Sequence, residues 1–302
     1  MSLADLVRVG GSRVKEHAPI GPLTTYRVGG SARALVSVET LADLEELAPL
    51  WRDCGLGVVV LGNGSNLLVD DGEQDVVAVR LGAAFSELSW REEGEVVVVD
   101  AGAALDLPIA ARRLSGAGVS GFEWAVGVPG TFGGAVAMNA GGHGSDMAAS
   151  VASVRLWREG LVDLAAADLH FGYRESALIP GDLVVRVTCH LRRGDPGHSM
   201  AKVREIVAWR RANQPGGANA GSVFRNPEGD SAGRLIESVG AKGLRHGSAV
   251  VSDKHANFIQ VDAGGRANDV YELAREVAER VREATGVDLT FEHRLIGFGE
   301  AG

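Results

Sequence analysis

The period of apolar positions changes several times along the chain. ARALVSV (32–38) and GVVVL (57–61) are β-branched runs near glycine and read as strands. Between them, LADLEELAPLW (41–51) has apolar residues at 41, 44, 47, 48 and 51, a helical period. A strand–helix–strand unit predicts parallel pairing of its two strands. DVVAVRL (75–81) and EVVVVDAG (95–102) predict further strands, and LDLPIAARRLSGAG (105–118) a helix that stops at glycine. Beyond a glycine-dense stretch, 116–144, strands resume at SVRLW (153–157) and LVVRVTCHLR (183–192). In the second of these, Val185, Val187 and Cys189 share one face, and Arg186, Thr188 and His190 the other. RRGDPGHS (192–199) is polar and turn-rich, the best candidate for a domain boundary. After it come helical patterns at 199–213, 231–240 and 268–286, the last capped by Asn268, with apolar residues at 270, 273, 277 and 281. NFIQVD (257–262) and DLTFEHRLIGF (288–298) read as strands, and no internal repeat is evident.

Composition narrows the class. The 302 residues suffice for two domains with a large core. The 42 glycines are about twice the usual share of ~7% and follow no three-residue period, so many turns need positive φ or close backbone approach. With 30 basic and 39 acidic residues the net charge is −9, which argues against nucleic acid or an anionic membrane as partner. Any anionic ligand is then held by a few local donors. Cys54 and Cys189 make no secreted disulfide framework and read as two buried thiols. The first residues lack a signal-peptide pattern. Trp124 to Gly142 is uncharged and as long as a membrane span, but six glycines and Pro129 make it a loop-rich buried segment.

Several motifs carry candidate chemistry. GAGVSG, with Gly116, Gly118 and Gly121, matches a dinucleotide fingerprint formally, but a helix precedes it and none follows, so a helix end and turn is the better reading. LGNGSNLLV (61–69) gathers Gly62, Asn63, Gly64, Ser65 and Asn66 in one turn after a buried strand. Their amides could nest a phosphate, or the segment is an ordinary hairpin turn. GVPGTFGGAVAMNAG (127–141), with Gly130, Thr131, Gly133, Gly134 and Asn139, suits a flat ligand lying against backbone, or equally tight strand–helix packing. FGYRES (171–176) sets Tyr173 and Arg174 between turn and strand, where a surface arginine is the plain alternative. AGSVFRNP (220–227) brings Ser222 into an apolar pair; without a GxSxG elbow it is no hydrolase nucleophile, and a turn serine is the default. FEHRLIGF puts Glu292 in a strand-like run, where a buried carboxyl needs a partner or a proton. The eight histidines show no metal-ligand spacing, so no metal is expected.

Together these segments resemble one family, bacterial UDP-N-acetylenolpyruvoylglucosamine reductase, the MurB flavoproteins of peptidoglycan synthesis. TTYRVGGSARALV (24–36), LGNGSNLLV, GVPGTFGGAVAMNAG, FGYRES, AGSVFRNP, AGRLIESVGAKG (232–243), SDKHANFI (252–259) and FEHRLIGF occur in the family's order. The short spacing from Arg174 to Ser222 resembles the shorter subclass, without an inserted substrate-capping loop.

The resemblance implies an α+β fold: a two-lobed FAD-binding domain of the PCMH, or vanillyl-alcohol-oxidase, type over 1–195, and a C-terminal α+β substrate domain over 196–302. It implies non-covalent FAD, NADPH as co-substrate, and reduction of UDP-N-acetylglucosamine enolpyruvate to UDP-N-acetylmuramate by a cytoplasmic, monomeric enzyme. By motif match, Ser222 is the proton donor and Arg174 and Glu292 act on the enolpyruvyl carboxylate. Both glycine loops contact FAD, and Tyr173 and Asn226 contact substrate. Leu23 stands where the family has Asn. Asn213 stands where it has a basic residue for the substrate diphosphate, a role open to Arg210 or Arg211. Another PCMH-type FAD oxidase, acting on an alcohol or sugar, is the alternative; it leaves AGSVFRNP, SDKHANFI and FEHRLIGF unexplained.

Overall fold

The structure is a computed structural model and describes residues 1–299. By contacts the chain divides into two compact units. Unit 1 comprises Met1–Glu16, Ala34–Gly62 and Val76–Arg210; unit 2 comprises His17–Arg33, Asn63–Asp75 and the chain from Arg211 onward. Neither is one continuous stretch. A single break at 195/196 would give all of helix Pro196–Asn213 to the second part, whereas by contacts its residues up to Arg210 belong to unit 1.

Unit 1 holds two cores. In the first, helices Leu3–Gly10 and Leu41–Asp53 pack on a sheet of order Val14–Pro19, Ser31–Val38, Glu73–Leu81, Gly57–Val60, burying Leu6, Leu44, Leu47 and Trp51 against Val36, Val77 and Val79. The helix at 41 starts because Thr40 and Asp43 cap each other: Thr40 Oγ1 accepts from Asp43 N–H, and the Asp43 carboxylate from Thr40 N–H. The parallel pairing expected between strands 32–38 and 57–61 does not form. Glu73–Leu81 lies between them and is itself the parallel partner of Gly57–Val60. Val77, Ala78 and Val79 are buried in succession, so this run belongs inside a sheet rather than at its edge.

The second core of unit 1 lies on an antiparallel sheet of order Leu161–Ala165, Val151–Trp157, Leu183–Arg193, Val96–Gly102, Leu88–Glu93. Leu183–Arg193 is central, and its alternation is as read: Val185, Val187 and Cys189 buried, Arg186 and His190 exposed. The two edge strands, 88–93 and 161–165, escape the sequence pattern because they are short, mostly exposed and carry charge. Helices Leu107–Gly116 and Phe132–Ala137 contribute to this core; Phe122 and Phe132 stack at 5.3 Å. Helix Leu107–Gly116 ends at the GAGVSG segment, with Gly118 at φ +76° forming the turn.

In unit 2 helix Ala267–Thr285 lies on a small antiparallel sheet, Arg245–His246, Ala249–Val251 and Ile259–Val261, and buries Val270, Leu273, Val277 and Val281. Asn268 is inside this helix rather than its cap. The Asp71 carboxylate accepts from the N–H groups of Ala267 (2.8 Å) and Asn268 (3.2 Å), so a residue distant in sequence caps the first turn. Leu67–Val69 pairs in parallel with Arg294–Ile296. The strand expected over 288–298 is thus cut to three residues, because the chain changes hydrogen-bonding neighbours at Glu292.

Of the two thiols, Cys189 is buried, which pushes it up to about 12, while Cys54 is partly exposed. Cys54 follows the last turn of helix Leu41–Asp53, and its Sγ donates to the Trp51 carbonyl. Among the described residues no helix is long and apolar enough to cross a membrane.

Candidate functional site

In unit 1 the first glycine turn begins where the Leu61 N–H bonds the Val79 carbonyl at 2.8 Å and closes the strand. Gly62 follows, beside Thr131 of the second glycine loop: a Cβ at Gly62 would lie 2.7 Å from Thr131 Oγ1. Thr131 is the N-cap of helix Phe132–Ala137, with Oγ1 3.5 Å from Gly134 N. The loop is tied down on its other side. Leu107 N–H donates to Gly130 O, Phe132 N–H to Leu105 O, and Gly133 N–H to Ala103 O, at 2.9–3.0 Å. A Cβ at Gly133 would press on Ala103 at 3.1 Å. A side chain at Gly62 would force Thr131 to move, and one at Gly133 would press tightly on Ala103, so packing alone favours glycine at both positions.

Asn139, 4% exposed and left-handed at φ +38°, fastens the next element. Its Nδ2 donates to Gly172 O at 2.9 Å, and its Oδ1 accepts from Ala148 N–H at 3.0 Å. Gly172 and Glu175 exchange backbone hydrogen bonds around a tight turn with Tyr173 and Arg174 at its tip. Arg174 is also left-handed, φ +60°, a conformation that costs a non-glycine residue about 1–3 kcal/mol. Its Nη2 donates to Gly141 O at 3.2 Å, and its guanidinium lies 5.3 Å from the ring centre of Tyr173, which is exposed.

Unit 2 holds the rest of the turn and the other candidates. Gly64 sits at φ +60°, and a Cβ there would lie 2.6 Å from Thr24 Cα; only glycine fits. Its carbonyl accepts from Thr25 N–H. Asn63 and Ser65 flank it, both half-buried. Asn66 clips the C-terminal segment twice: its Nδ2 donates to Glu292 O at 3.0 Å, and its carbonyl accepts from Arg294 N–H at 2.9 Å. Glu292 N–H donates to Val223 O at 2.8 Å, Arg225 N–H to Thr290 O at 2.9 Å, and Phe224 bridges Phe291. Ser222 is thus one residue from the rung that carries Glu292. Asn226 accepts from Ala232 N–H at 3.1 Å and so anchors the start of helix Ala232–Ser238.

Behind Glu292 the chain turns inward. His293 is buried edge-on to the buried ring of Tyr26, centroids 5.6 Å apart. Burial holds His293 down at about 4, a neutral imidazole, and pushes the Tyr26 hydroxyl far up.

The structure brings Ser222, Glu292 and Asn66 together in unit 2, and Gly62 with Thr131, and Asn139 with the Arg174 turn, in unit 1. A separate comparison places the whole chain. Residues 32–160 match the family model described as FAD binding domain, and residues 213–296 that described as UDP-N-acetylenolpyruvoylglucosamine reductase, C-terminal domain. The reductase of that name from Acidiphilium cryptum is 41% identical over 293 residues, 94% of this chain and 92% of its own.

The chain belongs to the UDP-N-acetylenolpyruvoylglucosamine reductase family.

The family member from Anaeromyxobacter dehalogenans is 42% identical and aligns over 96% of this chain and 87% of its own. The crystal structure of the MurB reductase from Thermus caldophilus superposes with a TM-score of 0.81 at 36% identity, covering 94% of this chain and 99% of that one. The expected α+β class with an FAD-binding first domain stands on these matches.

Sequence reading gave no role to Asn257. It occurs in SDKHANFI between two apolar residues, and a carboxamide there, itself 3% exposed, signals a built hydrogen-bond site. The motif presents Asn66 as a ligand donor, and nothing local signals its clip on Glu292, 226 positions away.

Proposed function

We propose that this chain is an NADPH-dependent flavoenzyme that reduces UDP-N-acetylglucosamine enolpyruvate to UDP-N-acetylmuramate, a peptidoglycan precursor. The observation that carries this reading is the hydrogen bond from Glu292 N–H to Val223 O, which sets Ser222 and Glu292, 70 positions apart in sequence, on directly bonded neighbouring segments.

The donor set suits FAD. Segments 61–69 and 127–141 offer backbone amides, hydroxyls and carboxamides and contain no Asp or Glu, in a chain of net charge −9. Such a set accepts a dianionic pyrophosphate without repulsion. Gly62, Asn63, Gly64, Ser65 and Asn66, with Gly130, Thr131, Gly133, Gly134 and Asn139, would hold it. Bound there, FAD supplies a hydride carrier between NADPH and the substrate.

This chain's own residues do the rest. Hydride addition at C3 of the enolpyruvyl group drives charge through C2 into the carboxylate. The Arg174 guanidinium meets that growing charge, a contribution of about 3–4 kcal/mol where one such donor has been removed. Ser222 delivers its proton to C2. Glu292, protonated in the substrate complex or neutralised by a hydrogen bond, acts on the substrate carboxylate; ionised and unpaired, it would repel it. Asn139 orients the Arg174 turn, and Tyr173 and Asn226 contact substrate. Residues 1–195 act as the FAD domain and 196–302 as the UDP-sugar domain, in a cytoplasmic monomer.

The test is anaerobic. The protein is loaded with FAD and reduced with NADPH, and the enolpyruvyl UDP-sugar is then added. Return of the oxidised flavin absorbance with formation of UDP-N-acetylmuramate supports the reading; flavin that stays reduced overturns it.

A further inference from the structure

Ser222 follows a loop, residues 216–221, whose three glycines include Gly221 at φ +82°. That loop is itself fastened: Gln260 Nε2 donates to Gly216 O at 2.8 Å, Val261 N–H to Ala218 O at 3.1 Å, and Gly221 N–H to Asn219 Oδ1 at 3.1 Å. The register of Ser222 with Glu292, however, is set on its C-terminal side, through Val223 and Phe224.

Both edges of that two-residue segment are bonded. One edge is the rung to Thr290–Glu292 described above. The other is made by a single residue, Asn257. Its Oδ1 accepts from Phe224 N–H at 3.0 Å, its Nδ2 donates to Phe224 O at 2.8 Å, and its backbone carbonyl accepts from Val223 N–H at 2.9 Å. The carboxamide serves Phe224 as a neighbouring strand's peptide would, one donor and one acceptor at fixed spacing. Asn257 is held in turn: its N–H donates to His255 Nδ1 at 3.2 Å. No bulk solvent competes at this buried site.

We infer that Asn257 is the positioning residue for proton delivery, gripping Val223–Phe224 so that Ser222 keeps its register with Glu292. This rests on the reading of Ser222 as the proton donor. Asn257 touches no reacting atom; it acts through the backbone it holds. The residue type is demanding. Leucine has the shape without either hydrogen bond, glutamine is one methylene too long, and an ionised aspartate lacks the donor to Phe224 O. A protonated aspartate can supply both.

The experiment uses FAD-loaded wild type, Asn257→Ala, Asn257→Asp, Ser222→Ala and the double variant Ser222→Ala/Asn257→Ala. Stopped-flow measures separately the reduction by NADPH and the reoxidation by the enolpyruvyl UDP-sugar. Asn257→Ala is expected to leave the first rate unchanged and slow the second about 100-fold, the scale of a 1 Å misplacement. In the Ser222→Ala background the same change adds nothing further. Asn257→Asp recovers reoxidation as pH falls and its buried carboxyl takes up a proton. Hydrogen exchange of the FAD-loaded protein, with neither NADPH nor substrate present, gives a readout independent of turnover: amides of residues 223–225 exchange faster in Asn257→Ala, while those of helix 267–285 do not. Equal slowing of both half-reactions, additivity with Ser222→Ala, or unchanged exchange at 223–225 would overturn the inference. Failure of the wild type to be reoxidised would instead overturn the functional reading, and the exchange data would still decide whether Asn257 holds this segment.

Discussion

Gly62 and Thr131, from two glycine-rich loops 69 positions apart, meet so closely that a methyl group on Gly62 would lie 2.7 Å from the Thr131 hydroxyl oxygen and 3.5 Å from its methyl carbon. The contact lies within unit 1 and couples the end of strand Gly57–Val60 to the start of helix Phe132–Ala137.

The coupling is open to a double-mutant cycle. Gly62→Ala overpacks the contact and is expected to cost about 1–3 kcal/mol. Thr131→Ala removes the helix cap at about 1 kcal/mol, but also the atoms that the added methyl group would strike. The double variant should therefore be more stable than the two separate losses predict, by denaturant titration. Strict additivity would show that the loops do not press on each other here.

Arg174 joins strain to function. Its left-handed backbone suits glycine, while its guanidinium is the proposed donor to the carboxylate on which charge develops. Arg174→Gly and Arg174→Ala should lose substrate-driven reoxidation alike, about 10²–10³-fold. Their stabilities should differ, with the glycine variant ahead by about 1 kcal/mol because alanine keeps the backbone penalty. Equal melting temperatures would remove strain from the account. Full activity in Arg174→Lys would remove the need for a planar, forked donor.

Glu292→Gln tests the protonation state argued for the carboxyl. A neutral amide cannot ionise, so if the wild-type rate falls at higher pH through loss of the Glu292 proton, the variant's reoxidation rate should not fall with it. The measurement is the pH–rate profile of that half-reaction alone. A variant matching wild type in both rate and shape would leave Glu292 without the proposed role.

Much of this was legible in the sequence, for local reasons. The helix at 41 announces itself by its apolar period; the alternation in 183–192 is visible residue by residue; helix 267–285 carries its buried stripe at 270, 273, 277 and 281. What escaped depends on distant partners. Asn268 looked like a cap because nothing local reveals that the Asp71 carboxylate does the capping. Strand Glu73–Leu81 takes the place next to Gly57–Val60 that a strand–helix–strand unit would reserve for Ser31–Val38. The candidate residues were readable by type and motif, but their supports were not. Asn257 lies 33 positions from Phe224, and Asn66 226 positions from Glu292; no periodicity links either pair.

His293 makes stability pH-dependent, and the sign follows from its burial. Desolvation lowers its folded pKa to about 4 from 6.5, so between those values the unfolded chain binds a proton that the folded protein refuses. The contribution is fully present above pH 6.5 and is lost as pH falls towards 4, with a slope of at most about 1.4 kcal/mol per pH unit and a total of about 3 kcal/mol. His293→Phe keeps an aromatic ring against Tyr26 and removes the titration. Wild type and variant share their other ionisable groups, so the difference between their unfolding free energies isolates this one. That difference should be constant above pH 6.5 and shift in the variant's favour by about 3 kcal/mol on going to pH 4. A gap that does not move with pH would mean that the ring takes up its proton in the folded state, and that the chain behind Glu292 is less closed than its burial implies.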